Sequence, residues 1–394
     1  MRRIIGTNAM GLRMPVVKQG DNLVEIIADK FAELIKTNSC EVNESDIIGV
    51  TESLLARAQG NYVDLDVIKK DVDNKFKNEI NIVSPILSRN RFSNILKAIA
   101  LTGKKINIYL SYPSDEVGNA IMDKYEVMRK KINIYEDTLT EEDYNNLFGD
   151  MYLHPFTHVN YVDLYKSFAV NDNITVYFSN NLDHIAKSSD EILIANIHDE
   201  AYLKEFFKNN GVSTVYSLRD LMNESIDGSG YNNEHGLYGS NLATGNSLKL
   251  FPRDSREFVY ELQKAIADRV GVNVQVLVYG DGAFKDPAGK IWELADPVVS
   301  PGFTDGLKGL PNEIKFKYVA DNELKDLSGQ EADDAMKKRI AEKNLEMDTP
   351  ERLGTTPRQL TDLIGSLCDL MSGSGDKGTP VIYIKGYFDN YSVE

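Results

Sequence analysis

The sequence predicts a mixed α+β protein with a small, mostly parallel α/β unit inserted into it. Three observations carry that prediction. Short apolar runs feed directly into helical patterns, as where Ile47-Ile48-Gly49-Val50-Thr51 runs into Glu52-Ser53-Leu54-Leu55, and this is how strand-to-helix junctions read. Between about Lys104 and Leu218 strand-like runs alternate with helical ones, the pattern of a parallel sheet with crossover helices. A polar stretch at residues 223–233, rich in Asn, Ser and Gly, then reads as a linker. The expected division is therefore residues 1–103 and 219–394 as one domain, interrupted by a unit at 104–218 whose ends lie close together.

The elements follow in order. An extended opening turns at Lys18-Gln19-Gly20-Asp21 and enters a helix over residues 22–36, with Leu23, Ile26, Ile27, Phe31, Leu34 and Ile35 on one face and Asp21 as N-cap. Strands are expected at residues 105–110, 174–178, 192–195 and 213–216, with a helix over 200–209 between the last two. Past the linker come a helix at 254–270, a strand at 273–279, a charged helix at 330–343, a helix at 357–371 and a final strand at 381–386.

With 42% hydrophobic and 9% aromatic residues in 394, the chain can bury real cores, which excludes wholesale disorder. A formal charge of -16 with no Lys/Arg run disfavours nucleic acid as a partner. No stretch approaches a membrane span, and Met1-Arg2-Arg3-Ile4-Ile5-Gly6-Thr7 lacks the apolar core of a secretion signal, so a cytoplasmic protein with no membrane partner is expected. Cys40 and Cys368 are too few and too separate for a disulfide framework or a cysteine zinc site.

Several segments carry chemistry. Gly280-Asp281-Gly282 follows a β-rich run, so Asp281 is displayed at a strand's carboxyl end between glycines that admit a ligand; a plain turn aspartate is the alternative. Glu293 and Asp296 are further acids nearby in sequence. Residues 371–378, Met-Ser-Gly-Ser-Gly-Asp-Lys-Gly, have the composition of a phosphate cradle or of a flexible loop, and no Walker A pattern. Arg57 lies within reach of the Thr51-Glu52-Ser53 junction, and Arg89-Asn90-Arg91 offers two guanidiniums for a carboxylate or phosphate; a solvated helix face and a solvent-exposed pair are the respective alternatives. His154 and His158 flank Pro155 and do not make a helical metal pair, and His235 reads as a loop residue.

In order along the chain, these segments resemble the coenzyme F420-0 gamma-glutamyl ligases. The family's Pro-containing opening and Lys-x-Gly-Asp-Asp-Leu are similar to residues 14–23, Met-Pro-Val-Val-Lys-Gln-Gly-Asp-Asn-Leu. Its Thr-Glu-Lys-Ile-Val-Ser-Lys-Ala-Glu-Gly is similar to residues 51–60, Thr-Glu-Ser-Leu-Leu-Ala-Arg-Ala-Gln-Gly. Its Thr-Asp-Thr block matches Gly280-Asp281-Gly282, its Val-Ala-Asp-Glu matches Val319-Ala320-Asp321-Asn322, and its Leu-Met-Gly-Glu-rich loop matches the segment from Leu370 to Pro380. The resemblance covers residues 8–85 and 230–388.

It implies a mixed α+β fold, usually a homodimer, and a GTP- and divalent-metal-dependent ligase (magnesium or manganese) that joins glutamate to a small-molecule carboxylate through an acyl phosphate. Carried over, Met14, Pro15, Val16, Val17, Glu52, Ser53, Arg57, Asn241, Met371, Ser372, Gly373, Ser374, Gly375, Asp376, Lys377 and Gly378 contact the nucleotide. Asp281 and Gly282 contact the metal, and Asp281 and Arg57 carry catalysis. Tyr238 stands where the family has a metal-binding Asp. That departure supports a second reading, a binding module that keeps the fold without catalysis, and the insert supports a third, other chemistry with its substrate selected there.

Overall fold

The computed structural model describes residues 4–38, 41–149, 153–154, 157–188, 190–280, 284–285, 292–293, 300–343, 358–373 and 375–393. Its first sheet runs in the order β1 (Asn8–Leu12), β16 (Val381–Lys385), β2 (Ile47–Thr51), β12 (Gln275–Tyr279), β15 (Gly302–Phe303). Only β2 and β12 are parallel. Successive side chains of a strand point to opposite faces, and the cores obey that alternation. Ile48, Val50, Val276, Val278, Val381 and Tyr383 pack with Ile27 and Phe31 of α1 (Leu23–Asn38) and Val259, Leu262 and Ile266 of α10 (Ser255–Val270). Ile47, Leu277, Tyr279, Ile382 and Ile384 pack with Ile364 and Cys368 of α13 (Leu360–Met371).

The cap of α1 differs from expectation by one residue. Asn22 Oδ1 accepts from the Glu25 amide at 3.3 Å, whereas Asp21 Oδ2 accepts from the Lys18 amide at 2.7 Å and closes the preceding turn. Both residues suit either task, and the turn geometry assigns them.

The second sheet has six strands: β6 (Leu139–Thr140), β7 (Ile174–Phe178), β5 (Lys105–Leu110), β4 (Glu79–Val83), β8 (Glu191–Ile194), β9 (Thr214–Ser217). All are parallel except β6, which is antiparallel to β7 at the edge. From β7 to β9 the strands lie in chain order third, second, first, fourth, fifth, which is doubly wound topology. Ile80, Ile82, Ile106, Ile108, Val176 and Leu193 pack with α4 (Phe92–Ala100). Val83, Tyr109, Ile192 and Ile194 pack with Ile185 of α8 (Leu182–Ser188) and Leu203 and Phe207 of α9 (Glu200–Asn209). The short helices α5 (Lys124–Arg129), α6 (Glu141–Phe148) and α7 (Tyr161–Lys166) add Val127, Tyr144, Tyr161 and Tyr165 to the first of these cores.

The boundary expected at residue 104 falls inside this layer. Its central strand β4 and the helix α4 precede that point, because Glu-Ile-Asn-Ile-Val satisfies the period of a strand and pairs with β5 and β8 at once. The core also takes in Ile68 and Val72 of α3 (Leu65–Lys75) and Leu248 of a three-stranded sheet, β10 (Asn241–Leu242), β11 (Ser247–Lys249), β3 (Tyr62–Asp64). Residues 223–233 are no loose linker. The Gly230 amide donates to Tyr62 O at 2.8 Å and the Tyr231 amide to Asn61 Oδ1 at 3.0 Å. A Cβ on Gly230 would lie 2.6 Å from the Tyr62 backbone, so only glycine permits this approach. Further elements are the pair β13 (Phe284–Lys285) and β14 (Trp292–Glu293), and α11 (Phe316–Asn322) against α12 (Gly329–Ala341) through Val319, Met336 and Ile340. Among the described residues no helix is long and apolar enough to cross a membrane.

Gly49 of β2 lets α13 come close: a Cβ there would meet Cys368 Sγ at 2.4 Å. Gly49→Ala is expected to lower stability by about 1–3 kcal/mol through overpacking. In a Cys368→Ala background the same change should cost clearly less, a coupling that urea denaturation of the four proteins measures.

Candidate functional site

Chain segments from both ends of the sequence meet at one edge of the first sheet. β2 and β12 run parallel and finish together, with Thr51 opposite Tyr279. β16 starts there, the Thr51 amide donating to Pro380 O at 3.1 Å, and the Met14 amide, just past β1, donates to Gly378 O at 2.9 Å. The Tyr279 hydroxyl donates to Pro380 O at 3.2 Å, and burial pushes its pKa well above the usual phenol range. Val17 is buried against Leu54, Leu55 and Ala58 of α2 (Glu52–Gln59), while Pro15 and Val16 remain exposed.

The glycine-rich loop is a closed turn. Gly373 and Thr379 exchange backbone hydrogen bonds, Thr379 N to Gly373 O at 2.7 Å and Gly373 N to Thr379 O at 3.2 Å. A Cβ on Gly373 would lie 2.5 Å from that of Lys377, and Gly378 sits at φ +64°, so both glycines are required by the shape. Gly375, Asp376 and Lys377 face solvent, and Met371 is exposed with Ser372 half-buried behind it. Ser374 lies outside the described residues.

A second cluster forms where β2 passes into α2. Lys249 Nζ donates to Ser53 Oγ at 2.9 Å and stands 3.6 Å from Glu52 Oε1. Both charged side chains are largely buried, where such a contact is screened far less than at the surface. Asn241 faces Lys249 across the β10–β11 ladder. Glu52, Ser53 and Asn241 are thus brought together, and the residue that joins them is one that sequence reasoning did not single out. The signal was present: Lys249 stands between Leu248 and Leu250, both fully buried, and a lysine inside an apolar run calls for a partner. Arg57 is exposed one helical turn beyond Ser53, on the same face of α2.

The expected metal site is a different matter. Tyr238 is buried, its hydroxyl donates to Asn196 O at 2.7 Å, and the Arg219 guanidinium lies 5.5 Å from its ring centre. Burial holds this phenol neutral, its pKa pushed far above the ordinary value. It fastens residues 235–241 to the turn after β8, and a neutral phenol so engaged does not replace a carboxylate for a hard divalent ion. Glu234, a possible replacement acid, points into solvent at 74% exposure. Among the described residues no group of three His, Cys, Asp or Glu side chains gathers, so those residues do not fit a divalent ion. Asp281, Gly282 and Asp296 lie outside the described residues, as does the side chain of Glu293.

Two of the five histidines, His154 and His235, are packed into the structure. His154 Nδ1 accepts from the Thr157 amide at 3.0 Å. His235 is buried against Phe251, ring centres 5.2 Å apart, and burial lowers its pKa; it is a packed residue where a loop residue was expected.

Tyr238→Phe is expected to cost about 1–3 kcal/mol, by leaving the Asn196 carbonyl without its donor. Tyr238→Asp, which writes the family's acid back, should cost more than Tyr238→Phe and restore no manganese binding, because it buries a carboxylate beside a carbonyl. Chemical denaturation and calorimetric titration of manganese check both.

No curated protein sequence matches the chain. One family does: the model described as F420-0:Gamma-glutamyl ligase matches residues 11–386. That span takes in the glycine-rich loop, the Glu52–Lys249 cluster and the whole six-stranded layer. A match over nearly all its length establishes that the chain belongs to the F420-0:gamma-glutamyl ligase family.

Proposed function

We propose that this protein is a nucleotide-dependent ligase that joins the amine of glutamate to a small-molecule carboxylate. The observation that carries the reading is the meeting at one sheet edge of residues 14–17, Glu52, Ser53 and the 371–378 turn, with Lys249 and Asn241 beside them. GTP, the nucleotide used by the ligases this chain resembles, would lay its phosphates there. Lys249 and Lys377 supply positive charge, and Arg57 adds a bidentate donor from the exposed face of α2. The described residues do not form a metal site, and no step is assigned to one.

The chemistry follows from phosphoryl transfer, which needs positioning and charge neutralisation more than a protein nucleophile. A carboxylate oxygen of the acceptor attacks the γ-phosphorus, and the nucleoside diphosphate leaves with the bridging electron pair. The neutral amine of glutamate then attacks the acyl carbon, phosphate leaves, and the nitrogen gives up a proton to form the amide. Lys249, screened from solvent, keeps Glu52 and Ser53 fixed while the phosphates bind above them.

A second reading has an observation of its own. Tyr238, at the position where the family has an acid, is buried and tied to the loop after β8, so the fold can persist as a nucleotide-binding module without turnover.

Phosphate release from GTP, measured with a panel of carboxylates, with and without glutamate and with magnesium or manganese present, separates the two. Release that requires both substrates supports the ligase, and GTP binding without release supports the module. Lys249→Met should weaken GTP binding roughly 10- to 100-fold, the loss of a charge-assisted contact, with the circular-dichroism spectrum unchanged. If the metal is held through Asp281, Asp281→Asn should abolish the manganese dependence of GTP binding in calorimetry; equal titrations remove that residue from the site. A homodimer, proposed on the same family grounds, is checked by light scattering at micromolar concentration.

A further inference from the structure

We propose a second ligand site in this protein, a small cavity at the carboxyl ends of β4 and β8 that takes a short-chain aliphatic carboxylate. The proposal is independent of the ligase reading.

The location follows from topology. The chain leaves β4 into α4 on one face of the sheet and leaves β8 into α9 on the other, so the loops part above these neighbouring strands. In doubly wound sheets that parting point is where ligands enter. Here a cavity remains between the described residues. It encloses about 50 Å³, room for roughly four water-sized groups at about 10–15 Å³ each. Its walls are Ile86, Phe92 and Ile95 on one side and Ala195 and Ile197 on the other, and residues 237–240 form its lip.

Polar atoms stand at that lip. Ser240 is 2% exposed, lines the cavity, and its hydroxyl has no hydrogen-bond partner among the described residues. A buried hydroxyl left in that state is costly unless a ligand answers it. Arg91 also lines the cavity, its guanidinium held by Gly239 O at 3.4 Å, and its amide donates to Ser88 Oγ at 3.0 Å at the start of α4. The wall is preformed: Asp115, buried, accepts the amides of Leu87, Val117 and Asn119 at 2.7–3.1 Å and fixes the loop after β4.

These groups define the ligand. An aliphatic body of a few carbons matches the Ile and Phe walls, and a carboxylate matches a guanidinium beside a hydroxyl donor. An amine would face the Arg91 cation, and inorganic phosphate would lose its hydration to apolar walls.

The test uses the full chain without nucleotide. Butyrate and isobutyrate should raise the melting temperature saturably and titrate by calorimetry, whereas isobutylamine and inorganic phosphate should do neither. Ser240→Ala should leave the unliganded melting temperature equal or higher and weaken isobutyrate at least about fivefold, and Arg91→Met should weaken it further. Ala195→Leu, which fills the cavity, should abolish binding while the circular-dichroism spectrum is kept. The proposal fails if no carboxylate gives a saturable shift. It fails equally if isobutylamine binds as well as isobutyrate, or if the Ser240→Ala and Arg91→Met proteins bind isobutyrate like the wild type.

Discussion

Val381–Lys385 pairs with Asn8–Leu12 on one side and with Ile47–Thr51 on the other, and the candidate site depends on that double ladder. Through it the backbone of residues 378–380 receives hydrogen bonds from both Met14 and Thr51. Two segments that the sequence separates by more than three hundred positions therefore share one rim. Backbone pairing is a strong way to hold such a rim, because each amide in a buried ladder must be satisfied and the ladder satisfies all of them together. Side chains then tune it: Tyr279 reaches the same Pro380 carbonyl, and Gly49 admits α13 beneath.

The interior charges show a division of labour. Lys249 meets Glu52 and Ser53 at the rim, while Glu200 and Lys204 of α9 form a partly buried network with Arg219 and Asp220, with Arg219 Nε 2.9 Å from Glu200 and Lys204 2.7 Å from Asp220. That network lowers the pKa values of Glu200 and Asp220 against the opposing effect of burial. Arg219 also sits over the Tyr238 ring. The position where relatives are expected to carry a metal-binding acid is thus held in the core of the six-stranded layer.

Much of the architecture was legible as periodicity. The strands at 105–110 and 174–178, and the last strand to within one residue at its end, are apolar runs bounded by turn residues, and they read correctly because strand length and branching leave little choice. β4 escaped notice because its five residues, two of them polar, lie in a segment read as part of the neighbouring domain; only pairing on both edges reveals it as the centre of a sheet. The cluster at α2 was half legible. Glu52, Ser53 and Asn241 were named by resemblance, but Lys249 acquires its meaning from a contact 196 residues away. The fate of Tyr238 was illegible for the same reason, since its partner Asn196 belongs to a loop whose position the sheet decides.

The central placement of Val381–Lys385 also orders events in time as the chain leaves the ribosome. All six strands of the α/β layer have been synthesised once Ser217 emerges. The first sheet at that moment has only β1 and β2, which are not neighbours and have no ladder between them. It gains its unifying strand some 160 residues later, so a truncated chain keeps every strand of the layer with the cavity walls and lacks the rim altogether. Quality control that senses unfinished edge strands would therefore be reading the same feature that assembles the candidate nucleotide site.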